Sequence, residues 1–283
     1  MLRLLLNAVW PNQLTVTLSI DNVAVNSRQG SLPILPILSS RVLEQKPIST
    51  IQTADKLPWQ LAINKLESLL ESMQVKRKTQ LQVILSSDFV RYLILPCQPI
   101  AMSAAEKSAY AIATYRDVYG AVVDGWHIKL HDAAPNHSTI LAAVDEKLLA
   151  TLKQISLKHQ LKLNSVQPYL MSAFNTLNHQ LSNINGYLVV LESGRLLLIS
   201  LRQGQCQNLR TITVNVDWKT ELKHLLMRES LLGDASGREV LVYAPAIKKS
   251  ALNSIEGWNI RRIGQTHKQA VNDRHFVLLE AST

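Results

Sequence analysis

The residues best suited to hold a nucleotide are glycines, because a phosphate-binding loop requires the backbone to approach the anion closely. This chain has 10 glycines in 283 residues, about half the usual frequency. No G-x-G occurs. Gly120 and Gly125 have the outer spacing of a P-loop, but Trp126 and His127 stand where Lys and Ser or Thr are required. The sequence therefore disfavours a catalytic nucleotide site.

A second kind of chemistry, metal binding, would have to draw on histidines. His127 and His131 bracket Lys129 on one predicted strand, so that the three side chains share a face. Asp132 and His137 lie close by in the sequence. No cysteine or paired carboxylate accompanies them, as a typical zinc site would require. Exposed strand histidines are therefore the favoured interpretation, and no metal site is predicted.

Nucleophilic catalysis also lacks its usual pattern. No G-x-S-x-G elbow occurs, and Ser193-Gly194 lies in a predicted turn between strands. Cys97 has no histidine nearby in the sequence, which favours a buried or neutral thiol. The only other cysteine, Cys206, is far away, and the pair has no metal-ligand spacing. Such sparse cysteine usage predicts a reducing, cytoplasmic compartment.

The basic character of the chain has two interpretations. The net charge is +9, yet the lysines and arginines are scattered, and the tightest run, Lys76-Arg77-Lys78, follows a predicted helix. Cations at a helix end complement its dipole, whereas nucleic-acid binders concentrate Lys and Arg on one stripe. The pattern therefore favours a solvated helix end and predicts no specific nucleic-acid partner. Weak attraction to an anionic membrane surface or an acidic partner stays open.

Two apolar stretches resemble membrane segments only superficially. The first ten residues begin like a signal peptide, but Asn7 breaks the apolar run and Pro11 ends it. The stretch at 31–40 is interrupted by Pro33 and Pro36 and is shorter than the ~20 residues of a membrane span. Neither stretch is predicted to cross a membrane. At 47% hydrophobic residues, the chain can instead bury a large core.

The elements that must position these residues alternate between strands and helices. Apolar periodicity predicts strands at 14–20, 23–25, 81–85, 89–95, 126–130, 139–144, 161–166, 187–191, 196–201, 209–214, 240–243, 258–263 and 276–279. Helices are predicted at 58–73, 103–119, 146–159, 168–181 and from 218 to Gly233, with short ones between the last strands. A loop rich in Ser and Pro is predicted before Lys56. Each half repeats the order strands, helix, strand-helix alternation, which predicts a two-lobed α/β protein.

Several of the predicted helices carry start signals. Ser103 and Glu106 have the spacing of a capping box. Asp145 and Asp217 each precede a helical pattern, where an acceptor side chain caps the first free amides.

Three stretches follow one another at suitable distances: LQVILSSDFVRYLILP, STILAAVDEKLLATLKQISLKHQLKLNSVQPYLMSAFN and NGYLVVLESGRLLLISLRQGQ. Together, from Leu81 to Gly204, they resemble the actin-like cytoplasmic proteins of type IV pilus and type II secretion systems, the PilM, MshI and GspL group. In that group a hairpin ending in Leu-Pro precedes a helix. A strand with Ala-Val-Asp then leads into a helix, a short strand and a Pro-containing turn, and a strand-turn-strand with Gly opens the second lobe.

The resemblance implies the actin-like ATPase fold, an α/β architecture of two ribonuclease-H-like lobes, expected here at 1–160 and 161–283. Active members carry an Asp-x-Gly turn in the first hairpin of each lobe, which brings amides and a metal-orienting carboxylate to the phosphates. The first hairpin here has Asp21 but no glycine, and the second has Glu192 and Gly194, a partial match with a longer acid. The adenosine-contacting Gly-Gly is replaced by VYAPA at 242–246.

These departures imply a degenerate nucleotide site with no catalytic residue, no metal and no cofactor. Asp21, Glu192 and Gly194 remain the candidate cofactor-binding residues should ATP and Mg²⁺ bind. The resemblance then implies a non-catalytic scaffold at the inner face of the inner membrane. Its expected partners are the cytoplasmic tail of an inner-membrane assembly subunit and the motor ATPase. The alternative is a divergent actin-like ATPase that binds ATP and Mg²⁺ weakly.

Overall fold

The structure is a computed structural model, and it describes residues 12–28, 40–47, 57–73, 75–97, 102–131, 137–214, 218–231, 237–244 and 255–264. The chain divides into two compact units, one of residues Met1–Phe89 with Lys147–Gln167, the other of Val90–Glu146 with Pro168–Thr283. Each unit is described by itself. The lobe boundaries expected at 1–160 and 161–283 stay a prediction. The strand at 276–279, the short helices between the last strands and Asp217 lie outside the described residues.

Within these ranges the chain forms thirteen strands, five α-helices and one 3₁₀ helix. In chain order they are β1 Gln13–Leu18, β2 Asn22–Arg28, β3 Ser40–Pro47, α1 Gln60–Ser72, β4 Gln80–Leu85, β5 Val90–Leu95, α2 Ala104–Tyr119, the 3₁₀ helix Gly120–Gly125, β6 Trp126–Leu130, β7 Thr139–Asp145, α3 Glu146–Lys158, β8 Lys162–Pro168, α4 Tyr169–Leu181, β9 Gly186–Glu192, β10 Arg195–Arg202, β11 Gln205–Thr213, α5 Trp218–Leu231, β12 Glu239–Tyr243 and β13 Asn259–Arg262. Where these ranges overlap the predicted elements, the predicted type is confirmed. No helix of the described residues is both long and apolar enough to cross a membrane.

The first unit is built on a five-stranded sheet in the order β3-β2-β1-β4-β8. The central strand β1 runs antiparallel to β2 and parallel to β4. Its apolar residues Leu14, Val16 and Leu18 are buried, and so are Thr15 and Thr17 between them, so both faces of this central strand are covered. Because β1 and β4 are parallel neighbours in register, their carboxyl ends meet at one edge of the sheet. The residues that follow those two ends can therefore act together.

The prediction of a Ser- and Pro-rich loop before Lys56 is wrong for residues 40–47, which form strand β3. Residues 40–47 instead pair antiparallel with β2, with a register shift between Val25 and Asn26. An edge strand gains its hydrogen bonds from a neighbour, and local apolar alternation is a weak signal for such a strand. The pairing therefore supplies what the local sequence pattern lacks.

The junction between β4 and β5 corrects a second prediction. The resemblance implied a hairpin ending in Leu95-Pro96, whereas β4 pairs with β1 in the first unit and β5 pairs with β7 in the second. The turn Ser86-Ser87-Asp88 therefore carries the chain from one sheet to another. The two strands have the right lengths for a hairpin, and only long-range pairing distinguishes the two arrangements.

The second unit contains two sheets, ordered β11-β10-β9-β12-β13 and β5-β7-β6. The larger sheet and α5 enclose a core that includes Leu191, Trp218 and Val242. Helix α2 covers the smaller sheet, and its fully buried Tyr115 donates a 2.7 Å hydrogen bond to the backbone oxygen of Arg91.

The capping box predicted at the start of α2 is confirmed. The Glu106 amide donates to Ser103 Oγ over 3.3 Å, while the Ser103 amide donates to the Glu106 carboxylate over 2.8 Å. Two amides that helical geometry would leave without partners are thereby satisfied.

Candidate functional site

The turn between β1 and β2 is closed by its own backbone and by one hydroxyl. Within it the Ser19 amide donates to the Asn22 backbone oxygen over 2.9 Å. The Asn22 amide donates to Ser19 Oγ over 3.0 Å, and that hydroxyl donates back to the Asn22 oxygen over 3.1 Å. Both residues are buried. In an active actin-like relative this hairpin would present its amides to phosphate, but here two of them are already engaged inside the turn.

A second turn, after β4, packs against the first one. The Ser86 amide donates to the Leu18 backbone oxygen over 2.8 Å, which joins the two strand ends. Asp88 then reaches back across the sheet edge, and its Oδ2 accepts the Ile20 amide over 3.5 Å and the Ser86 hydroxyl over 3.2 Å. A third amide of the first turn is thus committed to a carboxylate. Of the four amides at 19–22, three donate within the protein.

The electrostatics of this sheet edge disfavour an anion. Burial, and secondarily the neighbouring Asp88 carboxylate, raise the pKa of Asp21 above its usual value. Two neighbouring carboxylates create a negative potential, which repels phosphate unless a cation intervenes. Asp21 therefore lies beside a second carboxylate, on a turn with few backbone amides available to phosphate.

Asp88 is a residue of this site that the sequence reasoning missed. Its signal was present, since a polar SSD turn follows a strongly apolar strand. What the pattern could not supply is the parallel pairing of β4 with β1, which brings the two carboxylates to the same edge.

Glu192 and Gly194 belong to the second unit, at the turn between β9 and β10. Glu192 is the last residue of β9, is 4% exposed and lies opposite Arg195 in the antiparallel register. Gly194 has φ +68°, and a Cβ built there would meet nothing within 4 Å. The glycine is required by the positive φ of a two-residue turn rather than by a close neighbour. Its backbone oxygen accepts the Val214 amide over 3.0 Å.

The strand end that would contact adenosine in active relatives is filled by a tyrosine. Tyr243 is 1% exposed, and its ring lies against Gly264, where a Cβ would come within 2.5 Å of ring carbon Cε2. Arg262 donates a 2.7 Å hydrogen bond from Nη2 to the Ala244 backbone oxygen. Residues 245 and 246 lie outside the described residues. The Tyr243 ring therefore fills the space beside Gly264 at this end of β12.

The remaining residues singled out by the sequence pattern are dispersed. His127, Lys129 and His131 are exposed along and just after β6, and Asp132 lies outside the described residues. Cys97 is exposed, so of the two expectations for it, a buried or a neutral thiol, burial is wrong. Cys206 is buried, and burial raises the pKa of its thiol to about 12. A buried thiol of that kind is a poor nucleophile.

Comparison with known proteins gives the fold. A chain of unknown function with an actin-like ATPase fold from Bacteroides thetaiotaomicron superposes with a TM-score of 0.59 and 12% identity, covering 93% of this chain and 96% of that one. The cytoplasmic domain of EpsL, an inner-membrane component of the type II secretion system of Vibrio cholerae, gives 0.54 and 11%, covering 93% and 94%. A chain of the PilM–PilN type IV pilus biogenesis complex gives 0.53 and 13%, covering 82% and 80%. No family model and no curated protein sequence matches the chain.

The protein therefore has the actin-like ATPase fold, as the resemblance implied. Its structural neighbours include the two assembly proteins named above. Their sequence identities of 11% and 13% support a shared fold and no further conclusion.

Proposed function

We propose that this chain is a non-catalytic scaffold of a type IV pilus or type II secretion-like assembly platform. The observation that carries the proposal is the β1–β2 turn, whose amides donate to Ser19, Asn22 and Asp88 instead of remaining available to phosphate. An actin-like fold that keeps its architecture but engages its phosphate-binding amides internally is suited to binding rather than hydrolysis. The likeness to EpsL and to the PilM–PilN chain supports the choice of assembly system.

In this role the chain binds the cytoplasmic tail of an inner-membrane assembly subunit and lies at the inner face of that membrane. The PilM–PilN complex is a precedent for such a pairing in a protein of the same fold. The net charge of +9 would assist a position beside an anionic membrane surface. The motor ATPase is the second partner proposed, and no specific nucleic acid is part of the proposal.

The test is capture of the full chain by synthetic peptides. Each peptide carries the cytoplasmic tail of a pilus-type or secretion-type inner-membrane subunit encoded beside this chain, and a scrambled peptide of equal charge is the matched control. We expect retention at micromolar concentrations by one tail and not by its scramble. Equal retention by both peptides would indicate non-specific attraction to the basic surface, and no retention by any tail would remove the scaffold proposal.

The alternative function, a divergent ATPase, is favoured by one specific observation. Asp21 and Asp88 follow two adjacent parallel strands, and carboxylates at such an edge are hard oxygen ligands of the kind that Mg²⁺ accepts. The cofactor-binding candidates of this alternative are Asp21 of the first unit and Glu192 of the second. Asp88 would contribute charge beside Asp21.

A thermal melt distinguishes the two functions. If ATP with Mg²⁺ bound with a Kd equal to about one tenth of the ATP concentration, it would stabilise the folded state by about 1.4 kcal/mol. The corresponding rise in Tm is roughly 3–6 °C for a domain of 150–250 residues. The shift should disappear without Mg²⁺ and in Asp21→Asn and Glu192→Ala. The scaffold proposal expects no shift with or without the metal, and a flat response at millimolar ATP would dispose of the ATPase.

A further inference from the structure

One cluster of metal-type side chains in the first unit has no role in the proposed function. Glu67 and Glu71 lie one turn apart on α1, so both carboxylates project from the same face of that helix. His159 directly follows α3. One carboxylate oxygen from each glutamate and one imidazole nitrogen all lie within 4.8 Å of one another. Two separate helices thus bring three potential ligands to one point.

The imidazole of His159 supplies an observation independent of the acidic pair. Its Nε2 is buried and has no hydrogen-bond partner among the described residues. A buried ring nitrogen without a partner loses its hydration and gains nothing in return. Coordination of a metal through an imidazole nitrogen would offset such a loss.

A cation already lies at this point, which shows the sign of the local potential. Lys158 forms an ion pair with Glu67, and its Nζ lies 3.0 Å from Glu71 Oε1. The side chain of Lys158 is 55% exposed, so its ammonium can leave the cluster without being buried elsewhere. A metal ion would replace a mobile ammonium with a multivalent charge shared by the same two carboxylates.

We propose that Glu67, Glu71 and His159 form a zinc-binding site that links α1 to the end of α3, with water as the fourth ligand. Two carboxylate oxygens and one imidazole nitrogen match the borderline character of Zn²⁺ better than that of Mg²⁺ or Ca²⁺. With metal–ligand distances near 2.1 Å, tetrahedral ligand atoms lie about 3.4 Å apart. The three donors must therefore approach by at most about 1.4 Å, which rotation of the two glutamate side chains on the helix surface can provide.

The experiment uses the full chain, freed of any purification tag and treated with a chelator, and titrates it with Zn²⁺ by calorimetry. Co²⁺ serves as a spectroscopic probe of nitrogen and oxygen coordination. We expect one bound ion per chain and a rise in Tm on binding. His159→Gln and Glu71→Gln should each weaken Zn²⁺ binding at least about tenfold.

Two further variants separate a metal site from a surface ion-pair network. Lys158→Met removes the competing cation and should tighten Zn²⁺ binding by roughly two- to fivefold, the equivalent of one exposed ion pair. His127→Gln is the matched control, because that histidine is exposed on β6 in the other unit, and it should leave the affinity unchanged. Absence of Zn²⁺ binding, or binding that survives His159→Gln, would overturn the proposal.

Discussion

The ion pair between Arg210 and Glu229 offers a quantitative test of how the second unit is held together. Glu229 on α5 is 3% exposed, and its Oε1 lies 2.9 Å from Nε of Arg210 on β11. Despite that distance neither atom makes a hydrogen bond of acceptable geometry. A second cation, Arg228, lies farther off, with its Nη2 at 3.8 Å. The carboxylate has therefore lost its water and gained a charge contact without a well-directed hydrogen bond.

Removing one partner and removing both should have opposite consequences. Arg210→Met leaves a buried carboxylate with only the distant Arg228, and breaking a buried pair in this way costs about 3–5 kcal/mol. Because the Arg210 side chain is 35% exposed, the lower end, about 3 kcal/mol, is expected. The double variant Arg210→Met/Glu229→Met removes the desolvated charge together with its partner. It should equal the parent or exceed its stability by about 1–4 kcal/mol.

The assay is calorimetric melting of the parent, both single variants and the double variant. For a domain of 150–250 residues, about 3 kcal/mol lowers Tm by roughly 6–12 °C. Hydrogen exchange in β11 and α5 locates the loss in the second unit. Arg228→Met is the control, with an expected cost below about 1 kcal/mol because that side chain is 52% exposed. A double variant as unstable as Arg210→Met would refute the reasoning, because desolvation of the charge would then not be the cause.

Four other substitutions test single contacts. Asp21→Asn should raise the free energy of unfolding at neutral pH by less than about 1 kcal/mol. Since the folded pKa of Asp21 is raised, the ionised carboxylate destabilises the fold at pH values above its unfolded pKa of about 3.9. The measurement is thermal melting of both proteins as a function of pH. An equal gain in stability for Asp21→Asn in acid would contradict a raised pKa of Asp21. Gly264→Ala should cost about 1–3 kcal/mol of stability, because the backbone has φ +83° and the new methyl group would meet the Tyr243 ring. Gly194→Ala has open space around its Cβ and should cost only the backbone strain of about 1–2 kcal/mol. Equal losses in urea unfolding would show that the Tyr243 ring moves to accommodate the methyl group. Tyr115→Phe should cost about 1 kcal/mol by the same measurement, and no loss would mean that its 2.7 Å bond to the Arg91 oxygen is not formed.

Most of the elements could be predicted because their signals are local. The helix at 60–72 has buried residues at three- and four-residue steps, and the start of α2 carries its own capping residues. Strands such as β9 and β10 are continuous apolar runs bounded by a turn with glycine. In each case the residues that determine the element lie within the element or next to it, so no knowledge of the rest of the chain was needed.

The errors in the strand predictions fall where pairing partners are distant in the sequence. Strand β3 was predicted to be loop because its pairing with β2, and not its own pattern, makes it a strand. The strands at 80–85 and 90–95 look like a hairpin, yet they pair with β1 and β7. Asp88 was overlooked for the same reason, since its proximity to Asp21 depends on the β1–β4 register.

The scarcity of glycine is a property of the sequence alone, and it was sufficient to disfavour a phosphate-binding loop. Glycine has no Cβ, so its backbone can approach an anion more closely than that of any other residue. The resemblance to actin-like assembly proteins likewise came from the order of local patterns. Tertiary structure alone determined the contacts at these positions: Ser19 and Asp88 accept the turn amides, and Tyr243 fills the space beside Gly264. Those contacts join residues up to 68 positions apart in the chain, and only the folded sheet brings such residues within hydrogen-bonding distance.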